Sequence, residues 1–432
     1  MAHINDLPAA VLSQILFKAT ALAETLSEWK ANLPLVAVCR AWTKLVQPFV
    51  FYHVYVEVAP SPSSDMFPFA DPDTRSSWAS NAELIISRGC ILMARRLAIS
   101  LAIILTPDCM RSIALDILEL DRVDWQHINA LTVHGSHRMY RNSRDTTNFD
   151  RASEADIART VQYFGRNMRN VIELDMSSIS INRQCDYFCA CLGATYGGQL
   201  QIHRASRSIP FRVLNIPRNI KVLELSLGLL TSSVLTGICS ETLSVLKLYN
   251  TPHNFAWHHF RYDTFVQPIV FRKLTVLHLF YQPKDEGMAL YYPSEDEDKV
   301  LTADEIQEKI ALGALNCDQL CFPALRELTI VDCTPDCDLL YADIPFPELK
   351  TLFLSGSIDS IRHCTRLKLT WVQHLSVNIS SDSLGNSTDI YHATNHYFSN
   401  VCIGRTASLS VFVEWFILDP AQIRWVNLTK LI

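Results

Sequence analysis

Residues 325–333 read LRELTIVDC, and their spacing, an apolar residue followed three and five positions later by two more, returns along the whole chain. The same pattern stands at Leu223/Leu225 in IKVLELS, Leu246/Leu248 in LSVLKLYN, Leu277/Leu279 in LTVLHLFY, Leu352/Leu354 in LKTLFLSG and Leu375/Val377 in VQHLSVNIS. Weaker copies are Leu97/Ile99, Leu131/Val133, Leu174/Met176 and Val426/Leu428. Two apolar residues separated by one polar residue put their side chains on one face of a strand, so each copy predicts a strand with one buried face. Successive copies lie 23, 24 and 23 residues apart in places and 31, 34, 43, 49 and 51 apart elsewhere. The short spacings fit one strand and its return connection. The long ones predict insertions or copies too degenerate to see. In this reading Leu223, Leu246, Leu277, Leu328, Leu352 and Leu375 point into one core from neighbouring parallel strands.

L-x-x-L-x-L is the strand segment of a leucine-rich repeat, and Leu325, Leu328, Ile330 and Cys333 complete it with the cysteine three residues on. The chain resembles the leucine-rich-repeat superfamily in these copies, although a period-two strand of any α/β sheet mimics a single one. The resemblance implies an α/β fold, an irregular solenoid whose parallel concave sheet is the binding surface.

The N-terminal 5–50 stretch reads NDLPAAVLSQILFKATALAETLSEWKANLPLVAVCRAWTKLVQPFV. Asn5 or Asp6 can cap a helix, and Pro8 fits a first turn where its missing N–H costs nothing, which predicts a helix from Leu7. Val11, Leu12, Ile15 and Leu16 give it a broad apolar stripe. A second apolar run, Leu33, Leu35, Val36 and Val38, leads into Cys39-Arg40-Ala41-Trp42, with Leu45 and Val46 one turn on. Some fifty residues cannot make a large core alone, so part of this surface is expected to meet another chain.

In these residues the segment resembles the F-box, the helical module by which substrate receptors of cullin-type ubiquitin ligases dock on a Skp-family adaptor. The resemblance covers about a ninth of the chain and implies adaptor binding by Leu7, Pro8, Val11, Ile15, Leu16, Leu35, Val38 and Trp42. It further implies a cullin reached through that adaptor, a protein substrate on the repeat surface, no cofactor and no catalysis by this chain. One departure stands out. The stretch from Lys18 to Leu33 is about eight residues longer than the family spacing and calls for an extra helical turn or loop near Ala23–Trp29. The alternative is a repeat scaffold with no ligase role, whose N-terminal helices are only a cap. The expected organisation is a helical module over 1–58, a linker over 59–82 broken by Pro60, Pro62, Pro68 and Pro72, and repeats over 83–432. Insertions interrupt the repeats near 134–151 and 281–315. The second holds the acidic run Glu295–Asp298, and Thr302-Ala303-Asp304-Glu305 opens a helix through about Leu315.

Composition narrows the partners. The 432 residues are 49% apolar and 19% charged, the balance of a folded chain, and a net charge of −6 supplies no basic field for nucleic acid. The start MAHINDLPAAV lacks the basic region of a signal peptide, and Ile91–Leu105, interrupted by Arg95, Arg96 and Ser100, falls short of the ~20 apolar residues of a membrane span. Thirteen cysteines, an odd number, read as reduced thiols of a cytosolic or nuclear protein.

No motif carries chemistry. Cys317, Cys321, Cys333 and Cys337 have the wrong spacing for a zinc knuckle, and Cys333 already serves the repeat. Cys185, Cys189 and Cys191 read as packed thiols. His392 and His396 stand four apart, but no glutamate follows His392. The thirteen glycines form no dinucleotide fingerprint, phosphate loop or nucleophile elbow. Metal ligands and catalytic residues are therefore expected to be absent.

Overall fold

A strand whose alternate residues are leucine can bury them only if its neighbours present leucines at the same height, because a one-residue slip would turn the whole set to water. The computed structural model meets this requirement strand after strand. It describes residues 7–20, 26–36, 38, 40–58, 78–101, 105, 107–135, 152–178, 183–205, 219–226, 241–251, 270–281, 322–333, 346–356, 372–379, 408–413 and 430–431. Contacts divide the chain into two units, Met1–Asn215 and Ile216–Ile432.

The first unit opens with three helices, α1 (Ala9–Thr20), α2 (Leu26–Val36) and α3 (Arg40–Val50). The carbonyl of Pro8 accepts the N–H groups of Val11 and Leu12 at 2.9 and 3.0 Å, so Pro8 stands just before α1 and the helix begins two residues later than Leu7. Leu12, Leu16, Leu26, Trp29, Trp42, Val46 and Val50 close the interior between the three helices. Of the stretch expected to hold an extra turn or loop, the described residues begin at Leu26, the start of α2. There Trp29 is buried and its indole N–H donates to the Val50 carbonyl at 2.6 Å. The N–H of Leu26, an orphan donor of the first turn, is accepted by Glu57 Oε1 at 3.0 Å, which ties α2 to the first strand.

The strands of this unit are β1 (His53–Val58), β2 (Trp78–Ser80), β3 (Arg96–Leu101), β4 (Ala130–Gly135), β5 (Glu173–Ser178) and β6 (Ile202–Ala205). They lie in the order β2-β1-β3-β4-β5-β6, with β1 and β2 antiparallel and the other pairs parallel. The helices between them are α4 (Ala82–Ser87), α5 (Pro107–Arg111), α6 (Glu154–Asn167) and α7 (Arg183–Tyr196). Ser153 and Asp156 form a capping box at α6, each side chain accepting the other's backbone N–H. From α6, Ile157, Val161 and Phe164 are buried, and Phe164 meets Phe188 of α7 edge to face at 6.2 Å. Buried Asn81 accepts from the N–H of Tyr55 and donates to the carbonyl of His53, completing β1 where β2 ends.

The second unit holds β7 (Val222–Ser226), β8 (Val245–Thr251), β9 (Val276–Tyr281), β10 (Glu327–Cys333), β11 (Thr351–Gly356), β12 (His374–Ile379), β13 (Ser408–Val413) and β14 (Lys430–Leu431). All are parallel, and each pairs with the next in sequence. Leu223, Leu246, Leu277, Leu328, Leu352, Leu375, Leu409 and Leu431 stand directly opposite one another in a single row. Those from Leu223 to Leu375 are buried, as are Leu225, Leu248, Leu279, Ile330 and Leu354 in the row above. A third buried row, Ile220, Leu243, Leu274, Leu325, Leu349 and Val372, precedes the strands. Beneath it Phe271 and Phe322 stack at 5.3 Å and Phe346 continues at 6.5 Å.

Backbone bonding repeats with the side chains. One carbonyl just before each strand accepts two consecutive N–H groups of the next. Ser244 accepts from Thr275 and Val276, Thr275 from Arg326 and Glu327, and Arg326 from Lys350 and Thr351, all at 2.9–3.2 Å. In the first unit Arg95 and Asn129 do the same.

Two boundaries differ from the sequence expectation. β1 falls inside the 1–58 stretch but belongs to the sheet, because Val54 and Val56 pair with Leu97 and Ile99. Trp78–Ala82, expected in the linker, forms β2 and the start of α4. The last described rung is Leu431, opposite Leu409, and the Val426/Leu428 copy lies outside the described residues. Both insertions beyond Gly135 and Tyr281, the helix expected from Thr302, and Cys317, Cys321, Cys337, His392 and His396 also lie outside them.

Leu328 is fully buried between Leu277 and Leu352, whereas Thr351 is half-buried on the opposite face. Leu328→Ala is expected to cost ~2–5 kcal/mol by chemical denaturation, and Thr351→Ala less than about 0.5 kcal/mol. Equal losses would mean that the leucine row is not the core.

Candidate functional site

Helix α1 carries apolar residues on more than one side, and the bundle absorbs only part of them. Leu12 and Leu16 face inward. Val11 and Ile15, spaced by four and therefore stacked along one stripe, are 42% and 43% exposed, and Leu7, just before the helix, is 36% exposed. Val38 adds a further exposed side chain at 55%, and Pro8 is exposed beside Leu7. Phe17 is half exposed on another flank, where it meets Phe49 edge to face at 5.2 Å.

The residues named for adaptor contact therefore separate. Leu7, Pro8, Val11, Ile15 and Val38 are at the surface, and Leu35 is half-buried. Leu16 and Trp42, 2% and 8% exposed, lie inside, where they hold the helices together and present no surface. The helical stripe was too broad in sequence to tell its two edges apart, because the direction of α2 and α3 decides which edge is covered. Phe17 was missed for the same reason.

A second surface is the outward face of the sheet strands. In the first unit Glu173 binds Arg96 at 3.3 Å and Arg204 at 2.8 Å, and Arg204 reaches Asp175 at 3.5 Å. His53 stacks on Tyr55 with centroids 5.7 Å apart. Burial, aided by the nearby Arg96 guanidinium, brings the His53 pKa down to about 4. In the second unit Lys247 pairs with Glu224 at 3.1 Å, and His278 Nε2 lies 2.7 Å from Glu327 Oε1. Both networks balance carboxylates against bases on neighbouring strands, the arrangement of a solvated pairing surface. Neither holds a nucleophile beside a base.

Among the described residues no group of three or more His, Cys, Asp and Glu side chains is placed to hold a metal ion. Cys185 and Cys189 are buried in α7, and Cys191 is half-buried with its thiol pKa raised chiefly by burial. No helix among the described residues is long and apolar enough to cross a membrane. The chain matches no family model, and no curated protein matches it.

His203 departs from its row. It stands opposite Leu174, where the neighbouring rungs carry leucine or valine, and it is buried with neither ring nitrogen hydrogen-bonded. Burial brings its pKa down from 6.5 to about 4, against a smaller opposing pull from Asp175. The unfolded chain therefore takes up this proton first as pH falls. Stability from this group is complete above pH 6.5 and is lost as pH drops from 6.5 through 4. A shift of this size is worth ~3 kcal/mol. His203→Leu should raise the melting midpoint at pH 7 and flatten its decline toward pH 4, leaving the part due to His53. A variant that melts lower than the parent at both pH values would refute the reading of His203 as an unsatisfied core residue.

Proposed function

We propose that this protein is a substrate-recognition subunit of a Skp/cullin/F-box ubiquitin ligase, an F-box module followed by a leucine-rich-repeat solenoid. The observation that carries the reading is the exposed row of Leu7, Val11 and Ile15 on a helical module whose interior is closed by Leu12, Leu16, Trp42 and Val46. Surplus apolar surface on a small, internally satisfied bundle fits a partner that buries it. The Leu-Pro opening and the Val-Cys-Arg-Ala-Trp close give that partner the character of a Skp-family adaptor.

In this reading the chain performs no bond chemistry. The adaptor brings a cullin, the repeat surface holds a protein substrate, and co-localisation raises the effective concentration of the target lysine near the transferred ubiquitin. The place of action is the cytosol or nucleus, where such ligases meet their substrates.

Co-purification with a Skp-family adaptor tests this. Val11→Ala combined with Ile15→Ala should weaken adaptor binding by about 2 kcal/mol or more, roughly thirtyfold, with little change in the melting midpoint. Leu16→Ala should instead lower the midpoint, because it empties the bundle interior. An intact chain that binds no adaptor would favour the alternative, a leucine-rich-repeat scaffold without a ligase role.

A further inference from the structure

The residue just before each strand from β7 to β12 belongs to a row of its own. Lys221, Ser244, Thr275, Arg326, Lys350 and Gln373 are joined in that order by backbone hydrogen bonds of 2.8–2.9 Å, each carbonyl accepting the N–H of the next. Each therefore stands on the rung beside its neighbour, roughly 4.8 Å away, and the row spans about 24 Å. The residues one position earlier, from Ile220 to Val372, are buried, so this row is the rim at which the strands begin.

The rim is basic in a chain whose net charge is −6. Lys221, Arg326 and Lys350 lie on it, Arg272 and Lys273 lie in the turn that leads to Thr275, and all five are exposed. Against them stand Glu241 and Glu348 in the neighbouring turns. Arg272 reaches Glu241 at 4.0 Å with both side chains mostly exposed, a loose pair in water. Glu327, next to Arg326, turns instead to His278 at 2.7 Å. Arg326 and Lys350 are like charges on adjacent rungs, an arrangement that by itself costs stability. One position further along the strands, Val222, Val245 and Val276 stand opposite one another, half-buried, and form an apolar strip beside the rim.

We propose that this rim docks an extended acidic segment of a partner protein, running across the strand starts with its carboxylates over Lys221, Arg326 and Lys350 and its alternate apolar side chains over the valine strip. Side chains of an extended chain alternate, so one set meets each row. About seven extended residues cover the length of the rim. A nucleic acid strand would satisfy the bases but leave the valines uncovered, and a basic segment would meet like charge. The proposal rests on the receptor reading in that it gives the substrate a chemistry, an acidic and apolar extended segment.

The test uses the full chain and a fluorescein-labelled eight-residue peptide of alternating Glu and Val. Gln/Val and Lys/Val peptides and an eight-nucleotide single-stranded DNA serve for comparison. Anisotropy should show saturable binding of the Glu peptide and at least tenfold weaker binding of the other three. Arg326→Gln and Lys350→Gln should each weaken Glu-peptide binding about threefold and together about tenfold, without lowering the melting midpoint. Arg122→Gln, which removes the same charge from an exposed position in the first unit, should leave binding unchanged. Equal binding of the Gln peptide would assign attachment to the valines alone, and an equal loss with Arg122→Gln would assign it to the overall field. Either result overturns the proposal. Tighter binding of the DNA overturns it in favour of a nucleic acid. Glu-peptide binding that emerges only after Glu295→Gln, Asp296→Asn, Glu297→Gln and Asp298→Asn would make the chain's own acidic run the occupant and overturn the partner, and no binding in either form overturns the site. Adaptor co-purification on the same preparations separates the two levels. Adaptor binding without Glu-peptide binding removes this site alone. Glu-peptide binding that responds to the rim variants, without adaptor, keeps the site and removes the receptor reading.

Discussion

Register is the constraint on which the rest depends. Six parallel strands of the second unit, β7 to β12, bury their leucines only because each stands level with the last, and two features hold them there. The stacked leucine, isoleucine and phenylalanine rows reward one register, since any one-residue slip exposes a full row. The carbonyl that accepts two N–H groups just before each following strand fixes where the strand begins. Connections of very different length can then separate the strands, because the register is set within each one and not by the loops. Loop entropy grows only slowly with length, so the insertions are tolerated.

The same constraint decides what is left for function. Burying alternate residues necessarily turns the others outward, and the described strands carry charge pairs and stacked rings there. The N-terminal bundle repeats the logic at helical period. Leu12 and Leu16 go in, and Leu7, Val11 and Ile15 remain outside. Glu57 then fastens the bundle to the first strand and Trp29 ties α2 to the end of α3, so the exposed stripe is carried by a fixed part of the first unit.

Most of the sheet was legible because leucine at period two is an unambiguous signal once it recurs. The copies that escaped were those in which another residue fills a rung. Val54 and Val56 in β1, His203 and Ala205 in β6, and Leu409 and Val411 in β13 all lack the full three-leucine spacing. The 49-residue gap between Leu174 and Leu223 fits an insertion or a copy too degenerate to see, and β6 lies within it as such a copy. The candidate docking residues were partly legible. Sequence marked the apolar surplus of α1 but could not say which edge the bundle would cover, and so grouped Leu16 and Trp42 with residues that face out. The outward pairs, Glu173 with Arg204 and His278 with Glu327, join residues 31 and 49 apart and were invisible before the strands were aligned.

Amide hydrogen exchange of the full chain with and without a Skp-family adaptor tests the central claim most directly. The account predicts added protection confined to the N-terminal helices, strongest from Leu7 to Phe17 and around Val38, with the leucine-row strands unchanged. Protection that falls on the sheet strands while the N-terminal helices exchange as before, or no protection anywhere at saturating adaptor, would contradict it.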